Sequence, residues 1–516
     1  MNEKQLQDKI NGTIWSACDT LRTSIPGGNY KDYALVMLFV KYLSDTYKEE
    51  KEKANKMYKG NKLMIERYLS RSKFVLKEEC TFDYLYKNRN EDNIGEIINK
   101  ALEMITTLNG VKLFNLSAGV DFNSEVVFGK KKEKNAILRT LLSDFNNKDI
   151  DLRPSKIGNL DVIGNCYEYL IARFAGDSGK KGGEFYTPSE VSTLLAKLVE
   201  TRENDRIYDP ACGSGSLLLK AAKEVKDKKV SVYGQESNSS TYNLCRMNMF
   251  LHGVNDAHIE WGDTLSNPLH LENDDLMKFD VIVSNPPFSL DKWAKGFEIG
   301  NSETINDGKK KNIFKMEASM DPYNRFVYGV PPKSIGDYAF VQHMIKSLAD
   351  DGRMAVVLPH GALFRGASEG KIRKGILEDN LIDAVIGLPE NLFYGVSIPA
   401  TIVVFKKNRE RKDILFIEAS REYEKGKNQN RLSDENIQKI LDTYKNYKEI
   451  EKYSHIATMD EIRENEYNLN IKRYVDTFEE EEQIDIEATK KNIEKINNEL
   501  QVLEKELQKS LKELGL

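Results

Sequence analysis

Residues Asn285 to Phe288 read Asn-Pro-Pro-Phe and directly follow the apolar run from Asp280 to Ser284, which has the composition of a buried strand. The side-chain oxygen of Asn285 and the backbone carbonyl of Pro286 are two acceptors that can take both hydrogens of the exocyclic amino group of adenine. That amino group is a poor nucleophile because its lone pair is delocalised, and two acceptors would direct the lone pair at an incoming methyl group. The two prolines restrict the backbone, and the ring of Phe288 offers a face for an unstacked base. The four residues therefore predict a catalytic site for methyl transfer.

The same four residues also have a purely structural interpretation. Pro286 and Pro287 can end a strand, and Phe288 can pack in the core. The catalytic interpretation gains weight because a loop suited to a cofactor precedes the motif in the chain.

That loop is Asp209-Pro-Ala-Cys-Gly-Ser-Gly215, between the predicted strand Arg206 to Asp209 and a predicted helix. Its glycines allow a tight turn and close approach of a ligand to the backbone. A dinucleotide site would have a third glycine where this chain has Leu218, which weakens the case for a pyrophosphate cofactor. The carboxylate of Asp209 suits a ligand with a cationic amino-acid end. The predicted cofactor contacts in this loop are Asp209, Ala211, Gly213, Gly215 and Ser216.

Two further carboxylates, Glu236 and Asp263, come at the ends of the next two predicted strands. In open α/β folds ligands bind at this edge of the sheet, so Glu236 can accept from ribose hydroxyls and Asp263 from an adenine amino group. Either residue alone is better explained as a surface carboxylate that caps a helix. Because both follow the glycine loop at successive strand ends, the two together favour a ligand site.

The glycine loop followed by Asn-Pro-Pro-Phe resembles the amino-methyltransferases of DNA. The stretch Gly183 to Pro188, Gly-Glu-Phe-Tyr-Thr-Pro, resembles the motif found ahead of that loop in the modification subunits of type I restriction–modification systems. By that resemblance Tyr186 and Thr187 contact the methionine part of S-adenosylmethionine. The contact set that the resemblance implies is Phe185, Tyr186, Thr187, Pro188 and Asn285.

The similarity extends to the flanking regions, with Asn165 to Leu170, Tyr467 to Asn470 near Arg473 to Val475, and a terminal helix. It implies transfer of a methyl group from S-adenosylmethionine to N6 of a flipped adenine in double-stranded DNA. It also implies a specificity subunit that chooses the site, two copies of this chain for each such subunit, and a restriction subunit in the full complex.

Other functions remain open on the sequence. Enzymes that methylate glutamine in proteins also carry Asn-Pro-Pro and an aromatic residue, but they are usually shorter. A stand-alone or single-chain adenine methyltransferase would need a target-recognition domain, for which little of the chain remains. A non-catalytic structural subunit with a vestigial fold is disfavoured by the intact motifs.

Composition narrows the class further. The 516 residues carry 40% hydrophobic and 30% charged side chains, which is typical of globular proteins and not of membrane or disordered ones. The net charge of −5 shows no basic excess, so affinity for DNA is expected to be local or supplied by a partner. The five cysteines are scattered, which disfavours a zinc site. The start of the chain has no export signal, and no apolar stretch is long enough for a membrane span, so the prediction is a cytoplasmic protein with no bound metal.

The pattern of strands and helices expected around these residues predicts an α/β protein with a Rossmann-like class I methyltransferase domain. Residues 1–150 are predicted to form a helical domain, with a buried helix over the apolar run Tyr33 to Leu43. Residues 151–410 are predicted to form the methyltransferase domain, with a helix over Asp161 to Phe174. Within it, alternating strands and helices over 206–407 predict a parallel sheet, and 289–334 a long insertion or mobile loop. Residues 411–475 are expected to extend the core. Residues 476–516 predict an amphipathic, coiled-coil-like helix, whose apolar seam is Ile493, Ile496, Leu500, Leu503, Leu507, Leu511 and Leu514.

Overall fold

The computed structural model describes most of the chain, in two compact units, Met1–Val475 and Asp476–Leu516. The described residues are 3–25, 30–110, 119–157, 160–177, 186–297, 302–304, 310–312, 316–395, 397–426, 429–477 and 486–513. No described helix combines the length and the apolar composition that a membrane span requires.

The N-terminal region is a layer of helices, as predicted. Its helices are α1 Glu3–Ala17, α2 Asp19–Ser24, α3 Tyr30–Met57, α4 Lys62–Leu69, α5 Phe82–Lys87, α6 Ile94–Asn109, α7 Glu125–Phe128 and α8 Lys131–Phe145. The run from Tyr33 to Leu43 is apolar on nearly every face because α3 lies at the centre of this layer, where its side chains are buried all round. The prediction of a buried helix there is confirmed.

Ten further helices follow the helical layer within the described ranges. They are α9 Pro154–Ile157, α10 Leu160–Asp177, α11 Ser189–Leu198, α12 Ser216–Lys223, α13 Ser239–Leu251, α14 Asp337–Ser347, α15 Ala367–Glu378, α16 Asp434–Lys445, α17 Met459–Glu464 and α18 Ile486–Glu513. Helix α10 covers the predicted helix from Asp161 to Phe174 and packs on α1, α3 and α13. Short 3-10 helices lie at Glu78–Cys80, Lys226–Lys228, Lys295–Phe297, Ala318–Met320, His360–Leu363 and Ile471–Arg473.

The strands form one large sheet and three small pairs. In chain order they are β1 Arg206–Asp209, β2 Ser231–Glu236, β3 His258–Trp261, β4 Leu271–Glu272, β5 Asp275–Leu276, β6 Phe279–Ser284, β7 Ser302–Thr304, β8 Lys310–Asn312, β9 Leu348–Pro359, β10 Ile382–Gly387, β11 Ala400–Lys406, β12 Ile414–Glu418, β13 Glu424–Lys425, β14 Asn430–Arg431 and β15 Ser454–Ala457. The large sheet has the order β15-β12-β10-β11-β9-β6-β1-β2-β3. Seven of its nine strands, all except β12 and β15, lie within 206–407, where the sequence predicts alternating strands and helices.

The large sheet is rich in parallel pairs, as the sequence predicts, but it is not parallel throughout. Strands β3, β2, β1, β6 and β9 are parallel neighbours, but β11 runs antiparallel to both β9 and β10, and β15 runs antiparallel to β12. The connection from β10 to β11 spans only 388–399 and has no helix among its described residues. Without a crossover helix the chain turns back antiparallel beside β10.

Residues 411–475 add two strands, β12 and β15, to the same sheet, so the sheet continues past residue 410. Helices cover both faces: α11, α12 and α16 pack on one and α14, α15 and α17 on the other. The central strands are therefore buried on both sides, which explains why they read as continuous apolar runs instead of an alternating pattern.

The second unit contains the predicted amphipathic helix, α18. Six of its seam residues have between 38% and 63% of their surface exposed, namely Ile493, Ile496, Leu500, Leu503, Leu507 and Leu511. Leu514, which the sequence also assigned to the seam, lies outside the described residues.

Candidate active site

The predicted site residues converge on one edge of the large sheet. Because β1, β2, β3 and β6 are parallel, their carboxyl ends meet at the same edge. Asp209 is the last residue of β1, Glu236 the last of β2, and Asn285 directly follows β6. Asp263 stands two residues beyond β3.

Asp209 is completely buried. Its Oδ1 accepts hydrogen bonds from Ala211 N at 3.0 Å and from Ser284 Oγ at 2.7 Å. Its Oδ2 is also buried, but no group in the described chain donates to it. Burial raises the pKa of Asp209 to about 7, since the charged form is poorly solvated. A carboxylate oxygen held ready in this way fits a cationic ligand group.

The glycine loop turns sharply into α12. Gly213 and Gly215 have φ values of +54° and +79°, in the left-handed region that glycine tolerates best. A Cβ on Gly215 would lie 2.6 Å from Met249 Cε and 2.8 Å from Cys245 Sγ. The loop therefore packs directly on α13, and no side chain fits between them at this position.

Glu236 connects the end of β2 to the glycine loop. Its Oε2 accepts from Gly213 N at 3.0 Å, and its Oε1 accepts from Asn238 N at 2.8 Å. The side chain is almost fully buried, and burial raises its pKa. Oε1 also accepts from Ser237 Oγ at 3.5 Å, but Oε2 keeps a second lone pair, so the carboxylate can still accept from a ribose hydroxyl.

Asp263 is exposed and caps its own turn. Its Oδ1 accepts from Leu265 N at 3.1 Å and its Oδ2 from Ser266 Oγ at 2.7 Å. This is the capping role that the sequence left open for it, and Asp263 does not line the pocket formed by the glycine loop.

A small pocket joins three of the predicted motifs. It is lined by Tyr186, Thr187, Asp209, Ala211, Cys212, Gly213, Ser214, Ser216, Leu217 and Asn285. Pro188 and Gly215 are not among the lining residues: Pro188 precedes α11, and Gly215 packs against α13. Phe185, together with Gly183 and Glu184, lies outside the described residues. Tyr186 is buried against Tyr394, with 6.0 Å between ring centroids, and burial raises the pKa of its hydroxyl.

Asn285 faces this pocket with a free acceptor. Its Nδ2 donates to Thr187 Oγ1 at 3.1 Å. Its Oδ1 is buried and receives no hydrogen bond from the part of the chain that the structure describes. A buried amide oxygen without a donor costs about 1 to 3 kcal/mol, so the site favours a ligand with an N–H group.

The rest of the catalytic motif is packed against the core. Pro286 is buried, and Pro287 and Phe288 are half-buried. The ring of Phe288 meets Phe393 edge to face, with centroids 5.9 Å apart. Part of the structural interpretation therefore applies to Phe288, while its remaining surface stays accessible.

Sequence reasoning missed two residues that hold the site together. Ser284, whose hydroxyl binds Asp209, adjoins the catalytic motif and could have been found from that position. Asn248 donates from Nδ2 to the carbonyl of Ser214 at 3.0 Å and so holds the glycine loop. It lies inside α13 with no motif around it, so the sequence carries no signal for it.

The sheet is parallel around β1, and an acidic glycine loop follows β1 while Asn-Pro-Pro-Phe follows β6. Together these features define a class I methyltransferase. Comparison with known proteins narrows the class. The family model N-6 DNA Methylase matches residues 158–483, and the HsdM N-terminal domain model matches residues 10–145.

Relatives match over nearly the whole chain. The type I restriction enzyme MpnII methylase subunit of Mycoplasma pneumoniae is 35% identical over 96% of this chain and 94% of its own length. The MjaVII methylase subunit of Methanocaldococcus jannaschii is 36% identical over 98% of this chain and 83% of its own length. The crystal structure of a type I restriction–modification methyltransferase subunit from Streptococcus thermophilus is 33% identical, with a TM-score of 0.78 over 91% of this chain and all of that chain. The chain therefore belongs to the type I restriction enzyme methylase subunits and is an adenine-specific DNA methyltransferase that depends on S-adenosylmethionine.

Proposed function

We propose that this chain binds S-adenosylmethionine beside Tyr186, Thr187 and the glycine loop, and that Asn285 directs N6 of a flipped adenine at the methyl group. The observation that carries the proposal is Oδ1 of Asn285, which lines the pocket, is buried and has no donor in the described part of the chain. When bound, S-adenosylmethionine supplies an electrophilic methyl group on a sulfonium centre.

The residues around the pocket fit that cofactor. The unpartnered Oδ2 of Asp209 suits the ammonium group of the methionine part. Gly213 leaves its backbone open to close approach, and Glu236 behind it can accept from the ribose hydroxyls. The exposed carboxylate of Asp263 is assigned the amino group of the cofactor's adenine.

For the target base, Asn285 Oδ1 and the carbonyl of Pro286 accept the two hydrogens of the amino group. With both hydrogens held, the nitrogen lone pair is aimed out of the ring plane. A base inside a duplex cannot reach these acceptors, so the adenine must leave the helix, at a cost of a few kcal/mol. The accessible surface of Phe288 offers a stacking face for the extruded base.

The net charge of the chain and the exposed seam of α18 both indicate that it works with partner subunits. A chain with a net charge of −5 lacks the basic excess of a protein that grips DNA alone. We assign the choice of DNA site to a specificity subunit, flanked by two copies of this chain, with a restriction subunit joining in the full complex. A complex of this kind acts on DNA in the cytoplasm.

The decisive experiment is the substitution Asn285→Ala. We expect the affinity for S-adenosylmethionine, measured by calorimetry, to stay within about twofold of wild type. Methyl transfer by the complex with its specificity subunit should fall more than about 100-fold, because one positioned polar contact in a transition state is worth about 3 kcal/mol.

The matched control is Asn55→Ala on the exposed face of α3, which should change neither quantity. Adenine methylation by Asn285→Ala at the wild-type rate would overturn the proposal.

A further inference from the structure

The residue that follows the catalytic motif, Ser289, is held by a hydrogen bond to a distant part of the chain. Ser289 has a φ of +51°, a conformation that L residues rarely adopt. Its backbone N–H donates to Oδ1 of Asp337 at 2.7 Å. Since the two residues are 48 positions apart, this bond closes the base of the long insertion that the sequence predicts at 289–334.

Asp337 is itself fixed. It is the first residue of α14 and only 1% exposed. Its Oδ2 accepts from both terminal nitrogens of Arg365, each at 3.0 Å. Arg365 also donates to Glu369 at 3.0 Å, so the guanidinium is shared by two buried carboxylates. Both bonds end on the same oxygen, so Arg365 anchors Oδ2, while the bond from Ser289 N holds the other oxygen, Oδ1.

Further bonds join the two ends of the insertion, and we call this set the base clamp. Gly336 N donates to the carbonyl of Leu290 at 3.1 Å, and Lys292 N donates to Lys333 O at 3.0 Å. The indole of Trp293 donates to Pro332 O at 2.8 Å. The clamp therefore holds residues 289–293 against 332–337.

The catalytic motif is thus held by contacts at both of its ends. At its start, Ser284 pairs with Val356 of β9 and its hydroxyl binds Asp209. At its end, Ser289 is bound to Asp337. The four residues between these points set the directions of Asn285 Oδ1 and of the Pro286 carbonyl, and two of the four are prolines with little freedom of their own.

We propose that Asp337 is a positioning residue for methyl transfer, which acts by holding Ser289 and hence the direction of the two acceptors. This inference rests on the proposed function of Asn285 and Pro286. Asp337 touches no part of the cofactor pocket. Its loss should therefore affect the transfer step and leave the binding of S-adenosylmethionine unchanged.

The test compares Asp337→Ala, Asp337→Asn and the control Glu369→Gln, each in the complex with its specificity subunit. Asp337→Ala should lower kcat about 10- to 100-fold, since a displacement of about 1 Å at reacting groups costs that much, with the Kd for S-adenosylmethionine within about twofold. Asp337→Asn keeps an acceptor for Ser289 N and should recover part of the rate. Glu369→Gln loosens the same guanidinium without touching Ser289 and should keep kcat within about twofold.

A role confined to folding would lower the melting temperature and weaken cofactor binding together, without rescue by asparagine, and would overturn the inference. If Asp337→Ala does not fold, Arg365→Gln takes its place: it removes the two bonds that orient Asp337, and kcat should fall about 3- to 10-fold at unchanged Kd. If these variants keep the wild-type kcat in an assay where Asn285→Ala is inactive, the role of Asp337 is refuted. The proposed function of Asn285 is not affected by that result. Failure of the wild-type complex to methylate adenine refutes the proposed function and this inference with it.

Discussion

The side chain of Asn285 donates from Nδ2 to Thr187 Oγ1 at 3.1 Å, which joins two motifs 98 residues apart. The bond uses the donor side of the amide and leaves the acceptor side, Oδ1, buried and without a donor among the described residues. Thr187 thereby sets which end of the Asn285 amide faces the pocket.

Thr187→Val should therefore lower methyl transfer. Valine keeps the shape of threonine but removes the acceptor, so the Asn285 amide loses the bond that orients it. We expect kcat to fall about tenfold, the equivalent of one hydrogen bond of about 1.4 kcal/mol. Thr187→Ser keeps the hydroxyl and should retain most of the activity in the same assay. Equal rates for the valine and serine variants would contradict this role of Thr187.

The raised pKa of Asp209 predicts a pH dependence of stability. Between its ordinary pKa of 3.8 and its folded value of about 7, the folded chain holds a proton that the unfolded chain has released. The free energy of unfolding therefore falls as pH rises through this window and levels off above it. In Asp209→Asn this contribution is absent, so from about pH 5.5 to pH 8 the variant should gain about 2 kcal/mol relative to wild type. Denaturant unfolding at the two pH values measures the difference, and a constant difference would show that Asp209 does not titrate in this range.

Glu236→Ala should weaken the binding of S-adenosylmethionine. The substitution removes the proposed acceptor for the ribose hydroxyls and also frees Gly213 N, and the combined loss should be about 1 to 3 kcal/mol. Calorimetry on the purified chain measures it. Glu260→Ala, an exposed carboxylate on β3, serves as the control and should bind normally. Unchanged affinity in Glu236→Ala would leave Glu236 with only its structural bond to the loop.

Helix α18 is predicted to carry the contact with the specificity subunit. Removal of residues 476–516 should abolish co-purification with that subunit and site-specific methylation, while the affinity for S-adenosylmethionine stays unchanged, because the pocket residues all lie in the unit that ends at Val475. Exposed apolar stripes of this kind usually mark an interface.

Point variants sharpen this prediction. Leu500→Lys with Leu503→Lys places two charges on the seam and should have the effect of the truncation. Asn498→Lys adds one such charge on the opposite side of the helix and should assemble normally. Normal assembly of the double variant would show that the seam is not the interface.

Local features of the sequence were enough to predict the main elements. The strand Arg206–Asp209 and the helix around Tyr33–Leu43 were recognised because composition and length favour one secondary structure strongly. The turn at Gly213 was recognisable because few residues other than glycine adopt its backbone angles readily. The order of the motifs then placed Asp209, Glu236 and Asn285 at the same edge of a sheet.

The sequence by itself thus determined the class of the protein, the positions of its central strands and the residues that could do its chemistry, since all of these depend on neighbours along the chain. Only the tertiary structure decided that β11 runs antiparallel, that Asp263 caps a turn in solvent and that Phe288 packs on Phe393. The bond from Ser289 to Asp337 was likewise decided only by the tertiary structure. Each of these depends on which distant elements pack together, and a contact between residues far apart in the chain leaves no periodic or local pattern in the sequence.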